Sequence, residues 1–155
     1  MEIRDATPAD THQIVTCLRR SITELCAEDH HNDPAILDRW LENKTAEQVE
    51  KWLSNTGWSM LVAVEQGKVI SVGFVSHGGD IAMNYVLPDA RFQGVSRAMV
   101  RAMEARARSH GAERFVVVST TTALRFYARQ GYVPREWRQR VQYDIGNVAH
   151  PMVKG

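Results

Sequence analysis

The feature that most restricts the fold is a short apolar run followed by a glycine-containing loop and a long amphipathic segment. The run ends at Tyr85-Val86-Leu87, and the loop is Arg91-Phe92-Gln93-Gly94-Val95-Ser96-Arg97. The first backbone N–H groups of a helix have no partners within it and lie at the positive end of its dipole. Gly94 lets a ligand come close to the backbone, and Ser96 adds a small hydroxyl. The junction therefore predicts a phosphate-binding site.

Two motifs in this part of the chain resemble those of a known family. The order Arg-x-x-Gly-x-Ser at residues 91–96 is similar to the pyrophosphate loop of the GCN5-related N-acetyltransferases, usually Gln/Arg-x-x-Gly-x-Gly/Ala, with Ser96 as a small departure. Residues 123–132 resemble that family's Ala-x-x-Phe-Tyr-x-x-x-Gly-Phe/Tyr helix. The resemblance covers about residues 80–133 and implies an enzyme that moves an acetyl group from acetyl-coenzyme A to an amine.

Length, charge and cysteine content narrow the class of protein. With 155 residues, 44% of them hydrophobic, the chain can bury one sizeable core, so we expect residues 1–155 to form a single domain. A formal net charge of +1 gives no general attraction to nucleic acid or to a membrane. Cys17 and Cys26 lie nine residues apart in one predicted helix, on opposite faces, and cannot pair there. Because no signal segment or spanning run is seen, we expect a cytoplasmic protein.

Hydrophobic periodicity predicts alternating strands and helices. The strand segments are residues 3–6, 61–64, 69–75, 81–87 and 115–118, with a weaker last strand or hairpin at about 133–145. Helices are predicted to begin at Thr7-Pro8, Asp33-Pro34 and Thr45, after Gly94 and at Thr120. Three consecutive strands form a meander, which predicts an α/β (α+β) fold with a mixed, largely antiparallel sheet and helices on both faces. The resemblance implies the same fold.

Three details of packing follow from the same patterns. Ile14, Leu18, Ile22 and Leu25 form the stripe with which the first helix should face the core. In the helix after Gly94, Glu104 lies off the predicted apolar stripe. Residues 115–118 show no polar alternation, so this strand is predicted to be buried on both faces between parallel neighbours.

The resemblance implies where a cofactor would bind. In the family, the fourth and fifth strands splay apart around the pantetheine arm; here they would be residues 81–87 and 115–119. Backbone groups near Tyr85, Val86 and Leu87 would then hydrogen-bond the arm and polarise the acetyl carbonyl. Thr120 stands where many relatives have an asparagine that contacts the arm, and it is equally suited to cap the last helix. The residues expected at the diphosphate are Arg91, Phe92, Gln93, Gly94, Val95, Ser96 and Arg97.

Acetyl transfer to an amine needs a neutral amine, a stabilised oxyanion and a proton for the leaving thiolate, but no metal. Tyr127 matches the tyrosine that family members often use as general acid toward the sulfur, although it could also be a core aromatic. For the general base we weigh Glu28, Asp29, His30, Asp33 and His77, with water as a further alternative. His30 leads because an imidazole titrates near neutral pH and because the family's acceptor site is lined by this region.

Charge is distributed unevenly along the chain. Residues 91–114 contain six arginines and two glutamates, and residues 24–51 contain eight acids and three bases. This distribution predicts a basic wall for coenzyme A and an acidic wall for the cationic amine of a small molecule or peptide. Trp40, Asn43, Trp52 and Trp58 either line that acceptor pocket or pack the flanking helices. The sequence does not identify the acceptor amine, and it is compatible with either a monomer or a homodimer.

Three rival functions use other features of the sequence. A non-catalytic acyl-coenzyme A sensor would keep the phosphate loop and lack turnover. A metal-dependent phosphoesterase would use Asp29-His30-His31 and Asp33, but no second cluster appears among the other histidines. An arginine-rich nucleic-acid binder would need a stronger positive charge and aromatic side chains beside the arginines. The sequence favours the acetyltransferase.

Overall fold

A computed structural model describes residues 1–135 and 150–155. Its strands are β1 (Glu2–Asp5), β2 (Trp58–Glu65), β3 (Lys68–Ser76), β4 (Asp80–Val86), β5 (Phe115–Ser119), β6 (Val133–Pro134) and β7 (His150–Lys154). They form one sheet in the order β1-β2-β3-β4-β5-β7-β6, in which β4 and β5 are parallel and the other neighbours are antiparallel. The predicted mixed, largely antiparallel sheet is confirmed.

Helices cover both faces of this sheet, as predicted. They are α1 (Thr11–Leu25), α2 (Ala27–His30), α3 (Pro34–Leu41), α4 (Ala46–Leu53), α5 (Val95–Ser109) and α6 (Leu124–Arg129). Neighbouring residues of a strand point to opposite faces. Phe74 of β3 contacts Trp52 of α4, whereas a Cβ placed on the adjacent Gly73 would lie 2.7 Å from Met99 Sδ of α5. Since α1 packs against α4, these two helices share one face and α5 covers the other.

The first helix begins through a short 3₁₀ turn, Pro8–Asp10, that leads directly into α1. The Asp10 carboxylate accepts a hydrogen bond from the Thr7 N–H at 2.8 Å and two from Arg4 at 2.8 and 2.9 Å. The hydrogen-bonded Arg4 guanidinium lowers the pKa of Asp10 to about 2. Along α1, Ile14, Leu18 and Ile22 are fully buried as predicted, while Leu25 at its end is half-buried.

The strand β5 differs from its prediction. Burial alternates along it, and Val116 and Val118 are only half-buried. Its parallel pairing with β4 is short, joining Asp80-Ile81 to Val116-Val117, and its other neighbour, β7, is antiparallel. The prediction of a strand buried on both faces between parallel neighbours is therefore wrong, because one side of β5 lines an open cavity beside β4.

Glu104 of α5 is buried, with 3% of its surface exposed. Its carboxylate accepts hydrogen bonds from the Tyr132 hydroxyl at 2.8 Å and from Lys154 Nζ at 3.1 Å. A buried carboxylate is tolerated where such partners satisfy it, which is why a residue off the apolar stripe lies in the interior. The predicted last strand or hairpin falls mostly on residues 136–149, outside the described residues.

Two expectations about the chain can be compared with the structure. Cys17 and Cys26 are both buried and free, Cys17 within α1 and Cys26 just after it. Burial raises the pKa of each thiol to about 12. Within residues 1–135 and 150–155, no helix has the length and hydropathy that crossing a membrane requires.

Candidate active site

The loop between β4 and α5 presents a row of backbone N–H groups. After a 3₁₀ turn at Pro88–Ala90, Gly94 forms the N-cap of α5 with φ of 78°, and the first helical hydrogen bond runs from the Ala98 N–H to the Gly94 carbonyl at 3.1 Å. No backbone carbonyl of the described residues accepts from the N–H groups of residues 92–97. A Cβ placed on Gly94 would meet nothing within 4 Å. The loop therefore presents free N–H groups next to open space, which is the geometry that binding of an anion requires.

Side chains around these N–H groups are mostly exposed. Arg91 and Arg97 are exposed at either end of the loop, and the Arg91 guanidinium lies 4.4 Å from the ring centroid of Phe92, which is itself 90% exposed. Gln93 donates to the Asp89 carbonyl at 3.3 Å, and the side chain of Val95 is buried in the core. Val95 can therefore contribute only its backbone to a ligand, whereas the two arginines can move toward an anion.

A narrow slot of about 50 Å³ opens where β4 and β5 separate. It is lined by residues 81–85 of β4, residues 117–120 at the end of β5, and Ala123 and Tyr127 beside α6. Asn84 contributes a buried side-chain oxygen, Oδ1, that has no hydrogen-bond partner among the described residues. A buried acceptor without a partner is costly, so the slot suits a ligand that brings an N–H group. The sequence did not single out Asn84.

Backbone groups at the end of β4 differ in their availability. The Leu87 N–H donates to the Ile70 carbonyl of β3 at 2.8 Å and is not free for a ligand, contrary to the prediction. Backbone groups alternate sides along an antiparallel strand. Those of Asn84, which lines the slot, and of Val86, beyond it, therefore point away from β3, while those of Tyr85 share the direction of Leu87. Of the three residues predicted here, only Val86 therefore has backbone groups that are directed away from β3.

Tyr127 lies on α6 and is one of the residues that line the slot. It is 5% exposed, and burial raises the pKa of its phenol to about 12, an effect that the nearby Asn84 side chain partly opposes. The turn before α6 is closed by Thr120, whose hydroxyl accepts from the Ala123 N–H at 3.3 Å while the residue lines the slot. Tyr127 is thus both a core aromatic and a protonated phenol at the slot.

The His30 side chain is buried in the protein interior and is held there by hydrogen bonds. Its ring is fully buried, Nδ1 accepts a hydrogen bond from the Asn32 N–H at 3.0 Å, and Nε2 donates to the Ile22 carbonyl at 2.8 Å. The ring also meets Trp40 edge-on, with centroids 6.1 Å apart. Both nitrogens are therefore engaged, and the expectation of His30 as general base is corrected because neither is open to a substrate amine.

The other base candidates are also engaged or remote. The Asp29 carboxylate accepts from the N–H groups of Thr121 at 2.7 Å and Thr122 at 3.1 Å, and from the Thr122 hydroxyl. Asp33 caps α3 through the Ala35 N–H at 2.9 Å. Glu28 is exposed, and His77 stacks on His110 with ring centroids 3.6 Å apart. In the part of the chain that the structure describes, no three His, Cys, Asp or Glu side chains are grouped to hold a metal ion.

A second, larger cavity of about 950 Å³ adjoins the slot. The two cavities share lining residues on β4 and β5, namely Ala82, Met83, Tyr85, Val118, Ser119 and Thr120. Trp58 stacks on Phe74 with ring centroids 4.8 Å apart, and Trp52 lies 5.9 Å from Phe74. Trp40, Trp52, Trp58 and Asn43 all line this cavity, so the tryptophans both pack the helices and face the space.

The charged residues of the large cavity are balanced. Its lining contains three acids and three bases: Asp29, Glu42 and Glu47, and Arg39, Lys44 and Lys51. All three bases of residues 24–51 therefore face the cavity, but only three of the eight acids of that segment do. The predicted acidic acceptor wall is not formed here, because the segment places most of its carboxylates elsewhere on the surface.

Comparison with known proteins gives a consistent result. The model of the family described as acetyltransferase (GNAT) domain matches residues 26–155. A GCN5-related N-acetyltransferase from Rhodopseudomonas palustris is similar in structure with a TM-score of 0.86 and 25% identity, covering 99% of this chain and 94% of that one. No curated protein sequence gives a significant match.

Two further solved structures share the fold at lower identity. The PaiA N-acetyltransferase from Thermoplasma acidophilum, solved in complex with coenzyme A, has a TM-score of 0.83 and 15% identity, covering 99% of this chain and 97% of that one. A ribosomal-protein-alanine N-acetyltransferase from Brucella melitensis has a TM-score of 0.72 and 20% identity, with coverages of 99% and 97%. At these identities the likeness concerns the fold.

Proposed function

This chain belongs to the GNAT acetyltransferase family, and on that premise we propose that it transfers an acetyl group from acetyl-coenzyme A to the primary amine of a small molecule or peptide. The observation that carries the proposal is the meeting of two cavities at β4 and β5. One is a narrow slot along β4, the strand that leads into the loop with free N–H groups, and the other is wide enough for an acceptor. Direct attack by the amine requires such a meeting of two sites.

Coenzyme A fits the residues on the slot side. The free N–H groups of residues 92–97 and the arginines at positions 91 and 97 would hold the diphosphate. The unpartnered Asn84 Oδ1 and the Thr120 hydroxyl in the slot, and the backbone of Val86 beyond the slot, would bind the amide groups of the pantetheine arm. The complex of the PaiA N-acetyltransferase with coenzyme A supports a cofactor of this kind for the shared fold.

Tyr127 is the proposed general acid. Acetyl-coenzyme A supplies an activated acyl carbon, and the amine nitrogen forms a bond to it as the carbon–sulfur bond breaks. The phenol of Tyr127 then donates its proton to the leaving thiolate, which it can do because burial keeps its pKa at about 12 and the group protonated. With His30 and Asp29 engaged in hydrogen bonds, we assign the amine proton to water in the large cavity.

The N-terminal part of the chain is proposed to belong to the same domain. The family model leaves residues 1–25 unmatched. However, β1 pairs with β2 along four residues, and α1 packs on β3 and β4. These contacts support a single domain over residues 1–155, with the first strand and helix completing the sheet and one wall.

The function is tested by incubating the purified protein with acetyl-coenzyme A and a panel of amines and measuring thiol release. An enzyme releases thiol in proportion to acetylated amine, and calorimetry shows binding of coenzyme A. A sensor would bind coenzyme A and release no thiol with any amine, which would contradict the proposed turnover. Absence of coenzyme A binding would contradict the loop and slot assignments as well.

A further inference from the structure

Lys44 is a buried cation in the wall of the large cavity. It is 7% exposed and lies between α3 and α4, directly before Thr45, the N-cap of α4. Its Nζ donates to Asn43 Oδ1 at 2.6 Å and to the Trp40 carbonyl at 3.3 Å. Both acceptors are neutral, and no carboxylate of the described residues forms an ion pair with this ammonium. One of its three donor protons is left for another partner.

A buried ammonium without an anion is unfavourable. Desolvation disfavours its charged form, and it lowers the pKa of Lys44 to about 8, so that the group is still mostly charged at neutral pH. Cations buried in proteins are normally paired with carboxylates. An anionic group on a bound ligand would supply the missing partner.

The neighbouring charges point in the same direction. Residues 24–51 contain eight acids and three bases, yet all three bases line the cavity. Of the three cavity acids, Asp29 is already bound to the turn before α6, Glu47 pairs with Lys51 at 3.6 Å, and Glu42 is exposed and forms no ion pair with Lys44. The buried wall of the cavity therefore offers positive charge at Lys44, which suits an acceptor that carries an anion in addition to its amine.

An aromatic surface faces the same space. Trp52 lies in the last turn of α4, and its ring together with those of Phe74 and Trp58 forms a continuous cluster on the cavity. From Thr45 to Trp52, α4 rises by about 10 Å, at 1.5 Å per residue. The cation and the rings therefore line the same cavity from the two ends of α4, which suits a small molecule that carries both an anion and a flat ring.

Given the acetyl transfer proposed above, we propose that the acceptor is an aromatic amino acid or a close analogue. Its carboxylate pairs with Lys44 and its ring packs on Trp52, Trp58 and Phe74. The amine nitrogen forms an amide bond with the acetyl carbon, while the carbon–sulfur bond breaks and its electron pair stays on sulfur. Tyr127 protonates that sulfur, and the proton lost from the amine goes to water.

Matched amines test the carboxylate site. Tryptophan and tryptamine, and phenylalanine and 2-phenylethylamine, differ only in the carboxylate. A charge-assisted hydrogen bond between the carboxylate and Lys44 stabilises the bound amino acid. We therefore expect kcat/KM for each amino acid to exceed that for its decarboxylated amine by about 10-fold or more. Calorimetry with coenzyme A present measures the binding of the same four compounds without turnover. Equal or stronger binding of the two decarboxylated compounds, or no binding of either amino acid, would overturn the proposal.

Variants of Lys44 test whether this residue causes the preference for the amino acid over the decarboxylated amine. Lys44→Met and Lys44→Gln should lower the ratio of kcat/KM for tryptophan to that for tryptamine by about 10- to 100-fold. Lys68→Met, which removes an exposed lysine outside both cavities, should keep the preference. Circular dichroism and coenzyme A affinity verify that each variant is folded, and an unchanged preference in both Lys44 variants would overturn the assignment. Failure of the enzyme itself is recognised separately, because no amine of any class would then release thiol.

Discussion

The Asp29 carboxylate accepts a hydrogen bond from the Thr121 N–H at 2.7 Å, which joins α2 to the turn before α6 across 92 residues of sequence. The same carboxylate binds the N–H and hydroxyl of Thr122. Since Tyr127 lies on α6, this contact fixes the position of the proposed general acid relative to the large cavity. Asp29 is therefore a positioning residue, and its hydrogen bonds rather than its basicity explain why a carboxylate lies buried there.

Removing this carboxylate should destabilise the fold. Asp29→Ala loses three hydrogen bonds to a charged group and leaves the N–H groups of Thr121 and Thr122 without partners, so we expect a loss of about 3 kcal/mol in the free energy of unfolding. Asp33→Ala, which removes only the cap of α3, should lose about 1 kcal/mol. Urea unfolding measures both values. Equal losses in the two variants would contradict the role given to Asp29.

Tyr127→Phe tests the proton donor. The change removes one oxygen from a buried ring, so coenzyme A affinity should stay nearly unchanged while kcat falls by about 100-fold. Tyr132→Phe is the matched control, because its hydroxyl binds the buried Glu104 at 2.8 Å and does not line the slot. That variant should lose stability and keep kcat. Full turnover in Tyr127→Phe would remove the acid role.

The pH dependence of turnover should carry no sign of an acid that titrates near neutrality. Burial raises the pKa of Tyr127 from 10.0 to about 12, so the phenol keeps its proton below that range. With saturating amine, kcat should rise until the amine is neutral and then stay level to about pH 10. A decline in kcat with a midpoint well below that value, absent from Tyr127→Phe, would show that the phenol ionises earlier than burial implies.

The geometry of the proposed phosphate loop could be predicted from sequence because its signal is local. A strand, one glycine and a helix start lie within about fifteen residues, and the N–H groups follow from helix geometry alone. Tyr127 is also local, since its place on the last helix follows from the motif around it. By contrast, the spacing of β4 and β5 and the unpartnered Asn84 Oδ1 depend on how distant strands pair.

The acceptor side could not be predicted in the same way. His30 is a plausible base in sequence, yet the short helix α2 turns its ring onto the Ile22 carbonyl. By sequence Lys44 is expected to be a solvated lysine between two helices, but the folded segment buries it, with its ammonium on the Trp40 carbonyl of α3. The charge count of residues 24–51 predicts an acidic wall, but a count carries no information about which side chains face the cavity. On the acceptor side, sequence patterns therefore predict the helices, whereas tertiary packing determines which side chains face the cavity.

Gly94→Glu should abolish coenzyme A binding. The glutamate would fill the space above the N–H groups of residues 92–97 with a negative charge, which repels the diphosphate. Gly67→Glu is a close control, since Gly67 has a φ of 75°, also meets nothing within 4 Å of an added Cβ, and lies in the turn between β2 and β3. Both variants therefore carry similar backbone strain and the same added charge. Calorimetry should show normal binding for Gly67→Glu, and binding by Gly94→Glu would contradict the loop assignment.

Lys44→Met should stabilise the protein near neutral pH. Burial lowers the pKa of Lys44 from 10.5 to about 8, so the folded state holds this proton less tightly than the unfolded chain does. Below the folded pKa the ammonium is therefore a cost to folding, of about 3 kcal/mol when the shift is converted at 1.36 kcal/mol per pKa unit. Methionine has a similar length and no charge to desolvate, so its variant should gain up to that amount.

The stability difference between Lys44→Met and the wild type should depend on pH. As pH rises from about 8 toward 10.5, the folded protein releases the Lys44 proton before the unfolded chain does, and the wild type gains stability from this group. The advantage of Lys44→Met should therefore shrink across that window, whereas Lys68→Met should differ from the wild type by less than about 0.5 kcal/mol throughout. Urea unfolding at neutral pH and at about pH 9 measures the difference. A Lys44→Met variant that is less stable than the wild type at neutral pH would mean that Asn43 and Trp40 already compensate the charge, and the cavity would then have no need of an anionic ligand.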